Sequence, residues 1–165
     1  MRVLLSFLCL VLICGCSPED NTGPVAVRWD REVCQRCSMG IGDDRFAAHI
    51  RGGAQHKVFK FDDIGCAVIW LEQQAWKDAA ATEIWVSDYH DKRWIDARQA
   101  SYVRVLHSPM GYRLGAVAGN VKEALSFTEA IAHIEAMENT GHQHGQLHQH
   151  QNFQIQCKRL PNPTC

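Results

Sequence analysis

The chain has 165 residues, of which 46% are apolar and five are tryptophan, enough to bury one core of ordinary size and too apolar for a disordered chain. Its 17 basic and 18 acidic residues nearly cancel. That balance excludes a nucleic-acid-binding protein, which needs a basic face to neutralise phosphates.

Residues 1–15 read as a signal peptide. Arg2 supplies the positive start, and the apolar run Val3–Ile13 is too short to span a bilayer comfortably. The run ends in Ile13-Cys14-Gly15-Cys16, which resembles a bacterial lipobox with Cys16 as the lipidated residue. Each acyl methylene buried in a bilayer contributes about 0.8 kcal/mol, so several chains on one cysteine anchor a protein stably. Ser17 after the cysteine resembles the sorting pattern for the outer membrane. The expectation is a lipid anchor at its periplasmic face, with residues 16–33 as anchor and tether and 34–165 as the folded domain.

With the signal gone and Cys16 lipidated, Cys34, Cys37, Cys66, Cys157 and Cys165 are left. An odd number in an oxidising compartment leaves at least one thiol unpaired or in use. Cys157 and Cys165 could close the C-terminal tail as a disulfide, although spacing alone does not fix connectivity.

The segment Cys34-Gln35-Arg36-Cys37-Ser38-Met39 places two thiols and a thioether within six residues. Soft sulfur donors in this mixture suit Cu(I) better than zinc, whose usual ligands do not include Met. Cys37 is the first expected ligand. Cys34 is a further sulfur, an exchange ligand or a neighbour.

Regular patterning begins at Arg45. Arg45–Ile50 reads as a strand, 51–54 as a turn and Lys57–Phe61 as the returning strand. Asp62 or Asp63 then caps a helix whose buried stripe is Ile64, Ala67, Val68, Leu71 and Ala75, and Glu83–Ser87 follows as a strand. On that helix Cys66 reads as a buried structural thiol. His49 and His56, in or beside the hairpin, read as exposed or structurally satisfied. Trp94–Ala97 and Tyr102–Val105 suggest further short strands.

The same ββαβ order returns, with Tyr112–Val117 and Val121–Leu125 as strands. Ser126 and Glu129 form a capping box for a helix lined by Ala130, Ile131, Ile134 and Met137, and Asn152–Cys157 is the last strand. The expected fold class is therefore α+β, with two tandem ββαβ units, about 45–87 and 112–157, packed together. Ser38-Met39-Gly40 precedes the first unit and Pro109-Met110-Gly111 the second. Packing about a pseudo-twofold axis would bring Met110 toward Cys37 and Met39, with His107 close by. The tract 141–151, holding His142, His144, His148 and His150, is a weak binder of divalent metal or a solvated spacer.

The lipobox, Cys34-x-x-Cys37-x-Met39, Phe61-Asp62-Asp63-Ile64-Gly65-Cys66, Trp85-Val86-x-Asp88-Tyr89, Trp94-Ile95-Asp96-Ala97 and Pro109-Met110-Gly111 together resemble the NosL-type copper lipoproteins. The resemblance implies a fold similar to that of organomercurial lyase, built from two ββαβ units. It also implies a non-enzymatic Cu(I) chaperone of the cell envelope that serves a copper-accepting enzyme such as nitrous oxide reductase. Cys37 and Met39 would be ligands and Met110 a partner. Ser38 stands where the family usually has glycine, and the segment from Met39 to the first strand is short.

Two other functions compete. A thiol–disulfide oxidoreductase using Cys34 and Cys37 would place its reactive cysteine at a helix N-terminus, whereas Met39-Gly40-Ile41-Gly42 follows here. Cleavage of carbon–metal bonds rests on fold analogy alone, and the sequence shows no evident pairing of two cysteines with a carboxylate.

Overall fold

Strand β1 (Ala48–Gly52) alternates small or apolar residues with His49 and Arg51, yet all five of its residues are buried. A strand so patterned needs both faces covered, and the topology supplies this. In the computed structural model, which describes residues 22–140, β1 is an inner strand of an antiparallel sheet ordered β2-β1-β3-β4. The other strands are β2 (Lys57–Phe61), β3 (Glu83–Ser87) and β4 (Trp94–Asp96). The register pairs Ala48 with Phe61 and Val86, and His49 with Lys60 and Trp85. Ala48, Ile50, Phe61, Ile84 and Val86 thereby share the core side with helix α1 (Ile64–Glu72), which adds Ile64, Ala67, Val68 and Leu71.

The opposite face carries His49, Arg51, Lys60 and Glu83, and residues 23–32 lie across it. Gly23 donates to Glu83 at 2.7 Å while its carbonyl accepts from Arg51, and Val25 donates to His49 Nδ1 at 3.4 Å. Lys60 reaches both the Ala26 carbonyl and the Glu32 carboxylate, each at 2.7 Å. This segment therefore gives the polar face its partners.

The first ββαβ unit matches the sequence reading in type and order. Its first strand starts three residues later than expected, because Asp43 draws the Arg45 amide into a turn at 3.1 Å. The helix stops at Glu72, short of Ala75.

The second half departs from the expected repeat. Strands β5 (Ser101–Arg104) and β6 (Leu114–Val117) form an antiparallel pair of their own. Residues 121–125, expected as a returning strand, are not one. Lys122 and Glu123 are exposed with Glu123 at φ 66°, and only Leu125 pairs, with Tyr102. A positive φ at a bulky side chain interrupts an extended ladder. Helix α2 covers 127–140 and has the expected capping box, Ser126 N–H to Glu129 at 2.8 Å with the Ser126 hydroxyl accepting from the Glu129 amide. It buries Ala130 and Ile134. The last expected strand, Asn152–Cys157, and the tail cysteines lie outside the described residues. Tyr89 and Asp88 join the halves, the Tyr89 amide donating to Ala116 at 2.7 Å and Asp88 accepting from Ala118 at 2.7 Å.

Gly65, in the first turn of α1, sits against the Tyr112 ring, and a Cβ there would lie 2.1 Å from a ring carbon. Gly65→Ala should therefore lower stability by roughly 1–3 kcal/mol, read as a shift in the urea midpoint.

A candidate metal centre

The loop before the sheet is a tight hairpin. Val33 bridges Gly40, the Cys34 amide donates to the Met39 carbonyl at 2.8 Å, and the Ser38 amide donates to the Cys34 carbonyl at 3.0 Å. Gln35 N–H bonds the Lys60 carbonyl at 2.9 Å, which fastens the hairpin to β2. Ser38 takes φ 62°, in the left-handed region. That conformation explains the suitability of glycine between the cysteine and the methionine. Ser38→Gly should stabilise the fold by up to about 1 kcal/mol, since the left-handed strain exceeds the added chain entropy, and a thermal melt checks it.

The hairpin carries its thiols to the start of α1. Cys34, Cys37, Asp62 and Cys66 offer donor atoms that all lie within 4.8 Å of one another. Cys34 and Cys66 are buried and Cys37 half-buried, and all three are free thiols. Cys37 Sγ stands 3.6 Å from both oxygens of Asp62. Asp63, not Asp62, caps the helix, accepting from the Gly65 amide at 2.9 Å. Asp63 is thus the cap of the two carboxylates the sequence offered, and Cys66, read as a buried structural thiol, is buried within the donor cluster. The signal was present in outline, since a residue just after β2 and one in the first turn of α1 must emerge at the same corner. A pairing of thiols with a carboxylate, which the sequence did not show, also exists.

The electrostatics are graded across the cluster. A hydrogen bond from the Cys66 thiol is the largest influence on Cys34 and, against the opposing effect of burial, pulls it well below the ordinary thiol range. Cys66, as donor to Cys34 and buried, is pushed upward. Burial raises Cys37 to about 11 and the Asp62 carboxyl to about 7. Among the three thiols, Cys34 is the one whose thiolate form its neighbours favour.

A cation backs the inner end. Arg36 Nη1 reaches Cys66 Sγ at 3.9 Å and the Tyr112 hydroxyl at 3.0 Å, and its Nη2 pairs with Glu138 at 2.8 Å. Tyr112 in turn donates to Glu138. The guanidinium is thus held in place by β6's approach and by α2.

The other expected ligands are placed differently. Met39 is on the same hairpin and 45% exposed. Met110 is half-buried against the core, and its amide donates to Asp63 Oδ2 at 3.3 Å, one residue from Asp62. The loop between β5 and β6 thus reaches the cap of α1 through the Met110 backbone. His107 is exposed and lines a cavity of about 380 Å³ with Gly40, Gly42 and Asp62. His142, His144, His148, His150 and Cys16 lie outside the described residues. His49 is buried with Nδ1 accepting from Val25 and Nε2 unpartnered, on the face of the sheet away from the thiols.

Three thiols and a carboxylate at one buried corner of an α+β domain form a donor set that could hold a soft metal ion. The NosL family model matches residues 24–149. The chain belongs to the NosL family, and that membership and the thiol cluster together fit a copper-binding protein. No curated protein matches the chain. No helix among the described residues is long and apolar enough to cross a membrane.

Proposed function

We propose that the protein is an envelope-anchored chaperone that carries Cu(I) as cargo to a periplasmic copper enzyme, with nitrous oxide reductase as the first client to test. The convergence of three thiols within 4.8 Å, with a fourth sulfur on the same hairpin, carries this reading. Thiolates and a thioether satisfy a soft monovalent ion in low coordination and release it by ligand exchange. Cys37, Cys34 and Met39, together with Cys66, supply the sulfur ligands. Met110 and His107 are supplementary donors from the neighbouring loop. The histidines of 142–150 gather copper loosely, and lipid on Cys16 holds the chain at the periplasmic face of the outer membrane. No catalysis is assigned to the copper site.

Anaerobic titration of the reduced protein with Cu(I) against a chromophoric chelator tests the reading. One tightly held ion per chain is expected, with a sulfur-dominated shell by X-ray absorption. Failure to compete with the chelator, together with activity in an insulin-reduction assay, would turn the assignment to the oxidoreductase. The Cys34–Cys37 turn, which begins no helix, speaks against that outcome.

One observation favours a second reading. Asp62, a carboxyl raised toward neutrality beside Cys37, could hand a proton to the carbon leaving a thiolate-bound metal. Release of hydrocarbon from an organomercurial by the reduced protein would support it, and its absence would remove it.

A further inference from the structure

Exposure of the sulfur-bearing side chains rises from the thiol corner outward along its hairpin. Cys66 and Cys34 are 0% and 1% exposed, Cys37 is half-buried, and Met39 is 45% exposed. Charge follows the same direction. The Arg36 guanidinium stands beside Cys66 at 3.9 Å, clamped by Tyr112 and Glu138. Cys66 also lies in the first turn of α1, where the helix dipole favours negative charge. At the outer end Cys37 faces the carboxylate of Asp62, and Met39 contributes a neutral sulfur. Gly40, next to Met39, opens on the cavity that reaches Asp62 and is bounded by His107, Ser108 and Pro109. A group accepting copper has that side from which to approach.

Building on the Cu(I) reading above, we propose that the site has two stations sharing Cys37. Copper rests at an inner station of Cys34, Cys66 and Cys37, and leaves through an outer one of Cys37 and Met39. Loading forms Cu–S bonds and releases the thiol protons, leaving an anionic complex that the Arg36 guanidinium offsets. Departure breaks the bonds to Cys34 and Cys66 as the Met39 sulfur binds, and the two freed sulfurs regain their protons from solvent. Donors of the acceptor then replace Met39 and Cys37 on the ion, and the Cys37 thiolate is protonated in turn. Copper stays monovalent throughout, so no electron moves. Arg36 is a positioning residue that holds the resting station by its charge.

The test compares affinity with the rate of transfer from the loaded full chain to bathocuproine disulfonate. Met39→Leu is expected to lose less affinity than Cys66→Ala while transfer slows about tenfold. Cys66→Ala is expected to lose affinity and transfer faster. Since Cys66 is buried, Arg36→Met provides a variant with every ligand in place, expected to bind about tenfold more weakly and release faster. Arg36→Lys should recover most of the difference, which a merely structural role would not produce. Equal effects of Met39→Leu and Cys66→Ala on affinity would overturn the two stations in favour of one site, as would wild-type behaviour of both Cys66→Ala and Arg36→Met. If the unmodified protein binds no Cu(I), the chaperone reading falls as well. Binding that the variants leave untouched removes the stations alone.

Discussion

The Cys37→Ser protein is expected to lose more Cu(I) affinity than any other single-ligand variant, beyond the roughly hundredfold that removal of a supporting residue costs a metal site. Cys37 is the donor common to the buried thiols and to the hairpin that carries Met39, so its loss weakens both. A serine hydroxyl is a hard, neutral donor that a soft ion does not favour. The fold should survive, because the side chain is half-buried and serine can still donate to Asp62. Chelator competition reads the affinity, and a thermal melt of the apoprotein serves as the control. Wild-type affinity in a folded Cys37→Ser chain would exclude the thiol corner as the copper site.

The second large effect is on acid stability. Burial, with the positive charge of Lys60 and then Arg51 adding to it, lowers His49 from its ordinary value to about 3. The ring is stacked on Trp94 at 4.0 Å, with Nδ1 accepting from Val25 and Nε2 without a partner. Protonation would add a second buried N–H and remove that acceptor. The folded chain therefore binds fewer protons at this site than the unfolded chain between pH 6.5 and about 3. Stability present above pH 6.5 is lost as the pH falls through that window, at about 1.4 kcal/mol per pH unit once well inside it. His49→Phe keeps the stack and removes the titration. Its urea midpoint should lie slightly below that of the wild type at pH 7, by about 1 kcal/mol for the lost hydrogen bond, and fall less steeply on acidification. Parallel curves for the two proteins would exclude His49 as the source.

A lowered Glu32 carboxyl, paired with Lys60, works in the same direction, but the comparison of variants cancels it. Both groups hold residues 23–32 on the sheet, so acid should loosen that segment first. Amide exchange at Gly23 and Val25 would report it.

Much of the fold was legible because its signals are local. The strand signal that ends at Ile50, the acidic pair before a helical stripe and the Ser126–Glu129 box each depend on neighbours within a few residues. The extension of β1 through Arg51 and Gly52, read as a turn, instead follows from pairing with β2 and β3. The pairing of β6 with β5 was not legible in the same way. Residues 121–125 have enough apolar character for a strand, and the left-handed backbone at Glu123 shows itself only in the folded chain.

By itself, the sequence determined that this protein presents soft sulfur donors on a short loop ahead of an α+β domain, and it carried the motifs of a copper-handling family. Only the tertiary structure decided which side chains meet at the thiol corner. Cys66 and Asp62 join Cys34 and Cys37 because β2 ends and α1 begins directly beneath the hairpin, and Arg36 reaches a thiol 30 positions away in the chain. Local preference governs turns, caps and alternation, whereas donors distant in sequence meet only when packing brings their elements to one place.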